Sequence, residues 1–284
     1  MEQKPLDMLG LDNILLLDRT KELGEPDVLY AFALDELLCR TAGKGGPSIL
    51  HIWRHPKGFV MGLRDSRLPR AAEVGRMLQE EGWSTAVRNS GGAAVPLDPG
   101  VINLSLIMPK PSVDSFHFHE DFERMYGLIG AALQRTGCRV DKGEIAGAYC
   151  PGEFDLSING FKFCGIAQRR QTHAYIVQAF VVAEGSGEER AQFVRSFYDQ
   201  AASGADSDDY PEVMAGSTAS LEQLTGLGTG AGQAFVDAIK QCIVSQQTAE
   251  GIQAAEERLV LPTKEQVREM AGMLRSRYAI EGLQ

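Results

Sequence analysis

The chain has 284 residues, 44% of them hydrophobic, which is enough to bury a large core as one big folded unit or two modest ones. Its formal net charge of −10 argues against extended nucleic-acid binding, because phosphate contacts need clustered lysine and arginine. No stretch approaches the roughly 20 apolar residues that span a bilayer, and no secretion-type segment opens the chain, so we expect a cytoplasmic protein without a membrane partner.

Apolar runs in the sequence predict eight strands, and helical periodicity predicts five helices. The predicted strands are 13–17, 49–54, 59–62, 85–88, 101–108, 154–158, 161–165 and 175–182. The predicted helices are 27–40, 70–81, 119–136, 232–247 and 263–278. Strands and helices do not alternate strictly, which favours an α+β fold, a mixed sheet with packed helices. No break in composition divides the chain, so we expect one domain over residues 1–284.

The dipeptide Asn159-Gly160 lies between two short alternating segments and predicts a β-hairpin with a type I′ turn. The expected cross-strand pairs are Ile158 with Phe161, Ser157 with Lys162, Leu156 with Phe163, and Asp155 with Cys164. One hairpin face would then be apolar, and the other would carry the four polar side chains Asp155, Ser157, Lys162 and Cys164.

A second segment with possible chemistry is the glycine-rich run from Arg88 to Val95 (Arg-Asn-Ser-Gly-Gly-Ala-Ala-Val). Adjacent glycines after a strand let backbone N–H groups approach a ligand closely, and the following alanines keep the wall of the loop low. Such a loop suits an acyl chain or a carbonyl oxygen. A simple tight turn between strands fits the same spacing.

Neither the five cysteines nor the five histidines have the spacing of a metal site or of a disulfide framework, so we expect free thiols and no metal. Cys150 precedes Pro151, which predicts a constrained turn rather than a helix. A nearby Lys162 ammonium would favour the thiolate, the form that attacks carbonyl groups. Cys164 is the rival nucleophile. The alternatives are that Cys150 is a small buried hydrophobe and that Lys162 is a solvated strand residue.

These two segments together resemble the biotin/lipoate ligase and octanoyltransferase superfamily. The run 88–103 is similar to its glycine-rich acyl-pocket loop, and 154–170 to its lysine-bearing hairpin. Tyr149-Cys150-Pro151-Gly152 resembles the lipoyl-amidotransferase branch. The resemblance implies a biotin/lipoate protein ligase catalytic-domain-like fold, with a core at about 27–224 and a helical C-terminal extension at 232–284. Ala93 replaces a third glycine and Leu97 stands near the place of a common histidine, which weakens any inference that this loop binds an adenylate.

The resemblance also implies roles for individual residues. Cys150 and Lys162 would be catalytic. The substrate-binding residues would be Arg88, Ser90, Gly91, Gly92, Ala93, Asp155, Gly165 and Ala167.

The implied reaction moves an octanoyl or lipoyl group between protein lysines through a cysteine thioester, without ATP or another cofactor. The donor would be the glycine cleavage H protein, and the acceptor the lipoyl domains of 2-oxoacid dehydrogenase E2 subunits. Transfer from octanoyl-[acyl carrier protein] is the first alternative. An ATP-dependent lipoate-protein ligase and a non-catalytic module that binds carrier domains are the others. The candidates for a basic rim that binds acidic carrier domains are Arg54, Arg64, Arg67, Arg70, Arg169 and Arg170, and scattered solvated arginines are the alternative.

Overall fold

The computed structural model describes residues 5–110, 118–280 and 283. Within these residues the chain forms ten β-strands and eight α-helices. The strands are β1 (Leu15–Arg19), β2 (Ile49–Trp53), β3 (Gly58–Met61), β4 (Ser84–Val87), β5 (Val95–Leu97), β6 (Val101–Pro109), β7 (Asp141–Lys142), β8 (Leu156–Ile158), β9 (Phe161–Arg170) and β10 (Ala174–Val182). The helices are α1 (Leu29–Ala42), α2 (Ala71–Glu80), α3 (Phe118–Leu133), α4 (Gly187–Ala201), α5 (Leu221–Leu224), α6 (Ala231–Val244), α7 (Ala249–Glu256) and α8 (Lys264–Arg277).

Seven of these strands form a mixed sheet in the order β1-β2-β6-β10-β9-β8-β7. Its β1–β2 pair is parallel and its other neighbouring strands are antiparallel. A smaller sheet of order β4-β3-β5 has one parallel and one antiparallel pair. The predicted α+β class, a mixed sheet with packed helices, is confirmed.

The large sheet is buried on both faces, which explains why β6 and β10 read as nearly continuous apolar runs. One face packs Ile49, Ile107 and Ile176 in a core that also contains side chains of α1, α4 and the small sheet. The opposite face packs Leu50 and Leu106 with side chains of α3 and α6. Of the C-terminal helices, α6 contacts α3 and α8 contacts α1.

The predicted strands and helices are present with shifted ends, and five further elements, β5, β7, α4, α5 and α7, are present as well. β5 and β7 are only three and two residues long, too short to show a period. α4 and α7 begin with side-chain caps, from Ser186 and Thr248 respectively.

No helix in the described part of the chain is long and apolar enough to cross a membrane.

The hairpin forms as predicted at its turn, where Asn159 and Gly160 have φ of 52° and 81°. The pairs Ile158–Phe161 and Ser157–Lys162 are also confirmed. Farther from the turn the prediction is wrong, because a β-bulge adds one residue to β9 and Leu156 pairs with Cys164. Cys164 therefore lies in the apolar core of the α3 side rather than on a polar face beside Asp155.

Candidate active site

A cavity of about 500 Å³ lies on the α1 side of the large sheet. Part of its floor is a row of paired residues on four neighbouring strands, in the order Gly165 (β9), Phe180 (β10), Asn103 (β6) and Trp53 (β2). The other walls come from α1, the small sheet, the glycine-rich loop and the turn that carries Cys150. The volume is within the range of about 300–1,000 Å³ that is typical of small-molecule sites.

Cys150 lines this cavity and is only 7% exposed. Its backbone has a φ of 49°, the left-handed region that costs a residue with a side chain about 1–2 kcal/mol. The predicted constrained turn before Pro151 is therefore present. Surrounding contacts must hold this strained conformation, as is common where a side chain has to point in one direction.

Two hydrogen-bond donors point at the Cys150 sulfur. The backbone N–H of Ala93 donates to Sγ at 3.2 Å, and Nη2 of Arg88 donates to it at 3.1 Å. The same guanidinium nitrogen donates to the carbonyl oxygen of Ala93. A cation and an amide dipole at this distance stabilise negative charge on sulfur, the condition for a nucleophilic thiol.

The glycine-rich loop reaches the sulfur because Gly92 has no side chain. Gly92 has a φ of 100°, and a Cβ built on it would lie 2.8 Å from Cys150 Sγ and 2.4 Å from Arg88 Nη2. Gly62 is similarly required, since its Cβ would lie 2.0 Å from the carbonyl oxygen of Gly92. The functional interpretation of the glycine-rich run thus has a geometric basis, which is the close approach of this loop to the thiol.

Two buried polar side chains hold the next residue of the loop in place. The N–H of Ala94 donates to the hydroxyl of Tyr198 at 3.1 Å, and that hydroxyl donates to Asp65 at 3.0 Å. Asp65 also accepts from the N–H of Gly62 at 2.7 Å. Burial raises the pKa of Asp65 and that of Tyr198.

Lys162 lies beneath the turn rather than beside the sulfur. Its Nζ donates to the carbonyl oxygens of Tyr149 and Cys150, at 2.9 and 2.6 Å, and pairs with Asp155 at 2.8 Å. These three contacts use all three N–H bonds of an ammonium group. The cation that contacts the Cys150 sulfur is Arg88 rather than the expected Lys162. Lys162 instead fixes the two carbonyl groups on either side of the strained Cys150 backbone.

Asp155 completes this arrangement. Its carboxylate also accepts from the N–H of Gly152 at 3.1 Å, so that it joins Lys162 to the residues after Pro151. Burial raises the pKa of Asp155 to about 6, although Lys162 acts in the opposite direction. At neutral pH the carboxyl is therefore ionised and able to pair with Lys162.

The rival nucleophile Cys164 is inaccessible. It is fully buried, and burial raises its pKa well above the ordinary thiol value. Burial likewise raises the pKa of Cys39 to about 12 and raises that of Cys242. Neither Cys164 nor those two thiols line the cavity.

The remaining predicted binding residues mostly come together at the cavity. Ser90 and Gly91 line its wall, and Gly165 and Ala167 lie on its floor. A Cβ on Gly165 would lie 2.5 Å from the ring of Phe180, so this position must stay small. Ala93 does not line the cavity, and it contacts Cys150 through its backbone N–H.

Sequence reasoning missed a buried polar cluster beside the floor row, on the same face of the sheet, formed by Asp35, His51, Ser105 and Gln178. The Asp35 carboxylate lies 2.8 Å from His51 Nδ1 and accepts from Ser105 at 2.6 Å and from Gln178 at 3.1 Å. Ser105 and Gln178 line the cavity. The signal available in the sequence was Asp35 after the apolar start of α1 and His51 in the otherwise apolar strand β2.

Most of the six arginines expected to form a basic rim have acidic partners within the chain. Four are paired within the chain: Arg54 with Glu184, Arg70 with Glu73, Arg169 with Glu36 and Arg170 with Asp121. Arg64 and Arg67 are exposed in the segment that follows Gly62. A rim made of all six would have to break these internal ion pairs.

Comparison with known proteins agrees with this architecture. The family model of the lipoyl protein ligase A/B catalytic domain matches residues 27–246. Octanoyl-[GcvH]:protein N-octanoyltransferase of Geobacillus kaustophilus is 42% identical over 202 residues, 70% of this chain and 71% of that protein. The protein of the same name from Bacillus velezensis is 37% identical over 230 residues, 79% of each chain.

Solved structures match in fold over nearly the whole chain. Lipoate-protein ligase A bound with ATP superimposes with a TM-score of 0.63 at 18% identity, covering 100% of both chains. A bipartite lipoate protein ligase from Thermoplasma acidophilum gives a TM-score of 0.58 at 20% identity, covering 95% of this chain and 96% of that one. From the family match and the identity to its relatives, the chain belongs to the lipoyl protein ligase A/B catalytic domain family.

Proposed function

We propose that this chain is an octanoyl-[GcvH]:protein N-octanoyltransferase that carries the acyl group as a thioester on Cys150. The observation that carries the proposal is the position of the Cys150 sulfur, at the wall of a largely apolar cavity and in contact with Arg88 and the Ala93 N–H. The relatives with this name supply the donor class, a lysine of GcvH. The acceptors are lysines of lipoyl domains of 2-oxoacid dehydrogenase E2 subunits.

In the first half-reaction the Cys150 sulfur attacks the amide carbonyl of octanoyl-lysine. The new S–C bond forms, the C–N bond breaks, and the thiol proton leaves with the lysine amine. In the second half-reaction an acceptor lysine attacks the thioester, and the proton returns to the sulfur. The amide bond lost on the donor is regained on the acceptor, so the transfer needs no ATP.

The two hydrogen-bond donors at the sulfur, Arg88 and the Ala93 N–H, have a second role during each half-reaction. As the S–C bond forms, the negative charge that Arg88 and the Ala93 N–H stabilise moves from the sulfur to the carbonyl oxygen. Both are then available to the oxygen of the tetrahedral intermediate, which develops negative charge next to them. Lys162 acts as a positioning residue, because it holds the backbone carbonyl groups of Tyr149 and Cys150 rather than the reacting atoms.

Intact-mass analysis tests the proposal. Incubation with octanoylated GcvH alone should add one octanoyl group to the wild-type chain and to Cys164→Ser, the matched control, and none to Cys150→Ser. Acylation that persists in Cys150→Ser would place the nucleophile elsewhere. Subsequent addition of an unmodified lipoyl domain should remove the group without ATP.

Transfer from octanoyl-[acyl carrier protein] is the second candidate and would use the same covalent step. Parallel incubations with the two donors separate the candidates, since faster acylation from the acyl carrier protein would reassign the donor. Release of pyrophosphate, or a requirement for ATP, would favour a ligase.

A further inference from the structure

The row of residues on the cavity floor shows how far an acyl chain can extend inside the cavity. Gly165 is on β9, the strand whose Lys162 holds the Cys150 carbonyl, and Trp53 is on β2. Three strand-to-strand steps separate Gly165 from Trp53, which is about 14 Å at about 4.8 Å per step. An acyl chain bound to Cys150 can therefore extend across the sheet from β9 towards β2.

Two aromatic rings close the row at its β2 end. Trp53 and Phe32 both line the cavity and meet edge to face, with ring centroids 5.3 Å apart. They are only 3% and 7% exposed. An extended eight-carbon chain is roughly 9 Å long at about 1.2 Å per bond. It fits the available row once the width of the indole is subtracted.

The buried polar cluster fixes the orientation of this wall. The indole N–H of Trp53 donates to Ser105 Oγ at 3.4 Å, and Ser105 in turn donates to the Asp35 carboxylate at 2.6 Å. Asp35 is fully buried and is also held by His51 and Gln178. A ring anchored through such a network cannot turn aside easily to admit a longer chain.

We propose that Trp53 and Phe32 are the acyl-chain stop of this site, and that the Asp35-centred cluster holds the stop in place. The inference rests on the proposed function and deepens it by naming the side chains that limit the length of the acyl group. Chains longer than the row must displace an aromatic ring, whereas shorter chains leave part of the apolar row unfilled.

The test uses acyl-N-acetylcysteamine thioesters of hexanoic, octanoic, decanoic and dodecanoic acids, so no carrier protein is needed. Thiol–thioester exchange moves the acyl group to Cys150 and releases N-acetylcysteamine, which takes the proton. Intact mass against time gives one rate constant per chain length. Wild type should prefer the octanoyl thioester.

Trp53→Leu should raise the ratio of the decanoyl rate to the octanoyl rate by roughly 15-fold, because each newly buried methylene is worth about fourfold. Trp83→Leu is the matched control, since Trp83 stacks on Phe193 outside the cavity and the ratio should not change. Phe32→Leu removes the other ring and should shift the ratio in the same direction, so the test survives if Trp53→Leu fails to fold. Ser105→Ala, which frees the indole, should give a smaller rise.

Each failure has a distinct meaning. An unchanged ratio in both Trp53→Leu and Phe32→Leu, with octanoyl still transferred to Cys150, would overturn the acyl-chain stop and leave the proposed function standing. A wild-type protein that takes dodecanoyl as fast as octanoyl would overturn it too. Absence of any acyl group on Cys150 in the wild-type protein after incubation with octanoylated GcvH would instead overturn the proposed function.

Discussion

Replacing Gly92 by alanine should slow the acylation of Cys150 by about two orders of magnitude. The added Cβ would lie 2.4 Å from Arg88 Nη2 and 2.8 Å from Cys150 Sγ, whereas ordinary contact begins at 3.4 Å. The guanidinium would have to retreat by about 1 Å and the sulfur by about 0.6 Å. A misplacement of about 1 Å at reacting atoms costs roughly 100-fold in rate.

Gly91→Ala provides the comparison within the same loop. A Cβ on Gly91 meets nothing within 4 Å, and its φ is not in the left-handed region, so the loss should be at most about threefold. Acylation by octanoylated GcvH, followed by intact mass, gives the rates. Alkylation by iodoacetamide reports thiol reactivity independently of substrate, and urea unfolding checks the fold. Losses of similar size in the two variants, or a Gly92→Ala enzyme within fivefold of wild type, would refute the assigned geometry.

Four further outcomes follow from the contacts around the turn and the loop. Lys162→Met should lower the free energy of unfolding by about 3–5 kcal/mol in urea titrations, because it leaves the buried Asp155 unpaired. Adding Asp155→Asn to this variant should recover much of the lost stability without restoring acylation. Strictly additive losses in the two variants would contradict the pairing. Burial raises the pKa of Asp155 from 3.8 to about 6, so the folded protein binds this proton more tightly than the unfolded chain does. The stability that results is fully present below pH 3.8 and is lost as pH rises through about 6. The free energy of unfolding of wild type minus that of Asp155→Asn should thus fall by roughly 1–3 kcal/mol across this window, and a flat difference would argue against a raised pKa. Tyr198→Phe should slow acylation about tenfold with little change in KM, because it removes the hydroxyl that joins the Ala94 N–H to Asp65. Tyr175→Phe, at an equally buried tyrosine whose hydroxyl bonds Arg124 instead, should not slow it, and equal effects would mean that only packing matters. Arg88→Lys should trap part of the acyl group as a hydroxylamine-resistant amide on the introduced amine, which peptide mass mapping detects; a label that remains entirely a thioester would contradict the short distance to the sulfur.

The turns of this fold could be predicted from sequence because they depend on local backbone conformation. Asn159-Gly160 adopts two successive positive φ values, a property of these residue types alone. The adjacent glycines 91 and 92 and the Cys150-Pro151 pair were informative for the same reason. The bulge in β9 was not predictable, since one extra residue changes the partner of Leu156 without changing the alternating pattern near the turn.

The polar contacts of the site could not be predicted because they join distant parts of the chain. Asp35 contacts residues 16, 70 and 143 positions away, and no local period reports such contacts. Arg88 and Cys150 are 62 positions apart, so the cation at the sulfur could be assigned only from the fold. Lys162 was predicted to act on the thiol, but its Nζ contacts the carbonyl oxygens of Tyr149 and Cys150, which only the structure shows.

The two cations near the thiol are divided between two tasks, and the chemistry of a thioester gives a reason for this. A primary amine beside an acyl thioester would attack it and hold the acyl group as an amide. Lys162 cannot do so, because its three N–H bonds are committed to the carbonyl oxygens of Tyr149 and Cys150 and to Asp155. The guanidinium of Arg88 is a permanent cation that donates to sulfur without being a nucleophile of that kind. The site must hold an activated acyl group until a protein lysine arrives. An arginine at the sulfur, with the lysine bound to the backbone behind it, therefore keeps the thioester from reacting with an amine of the enzyme itself.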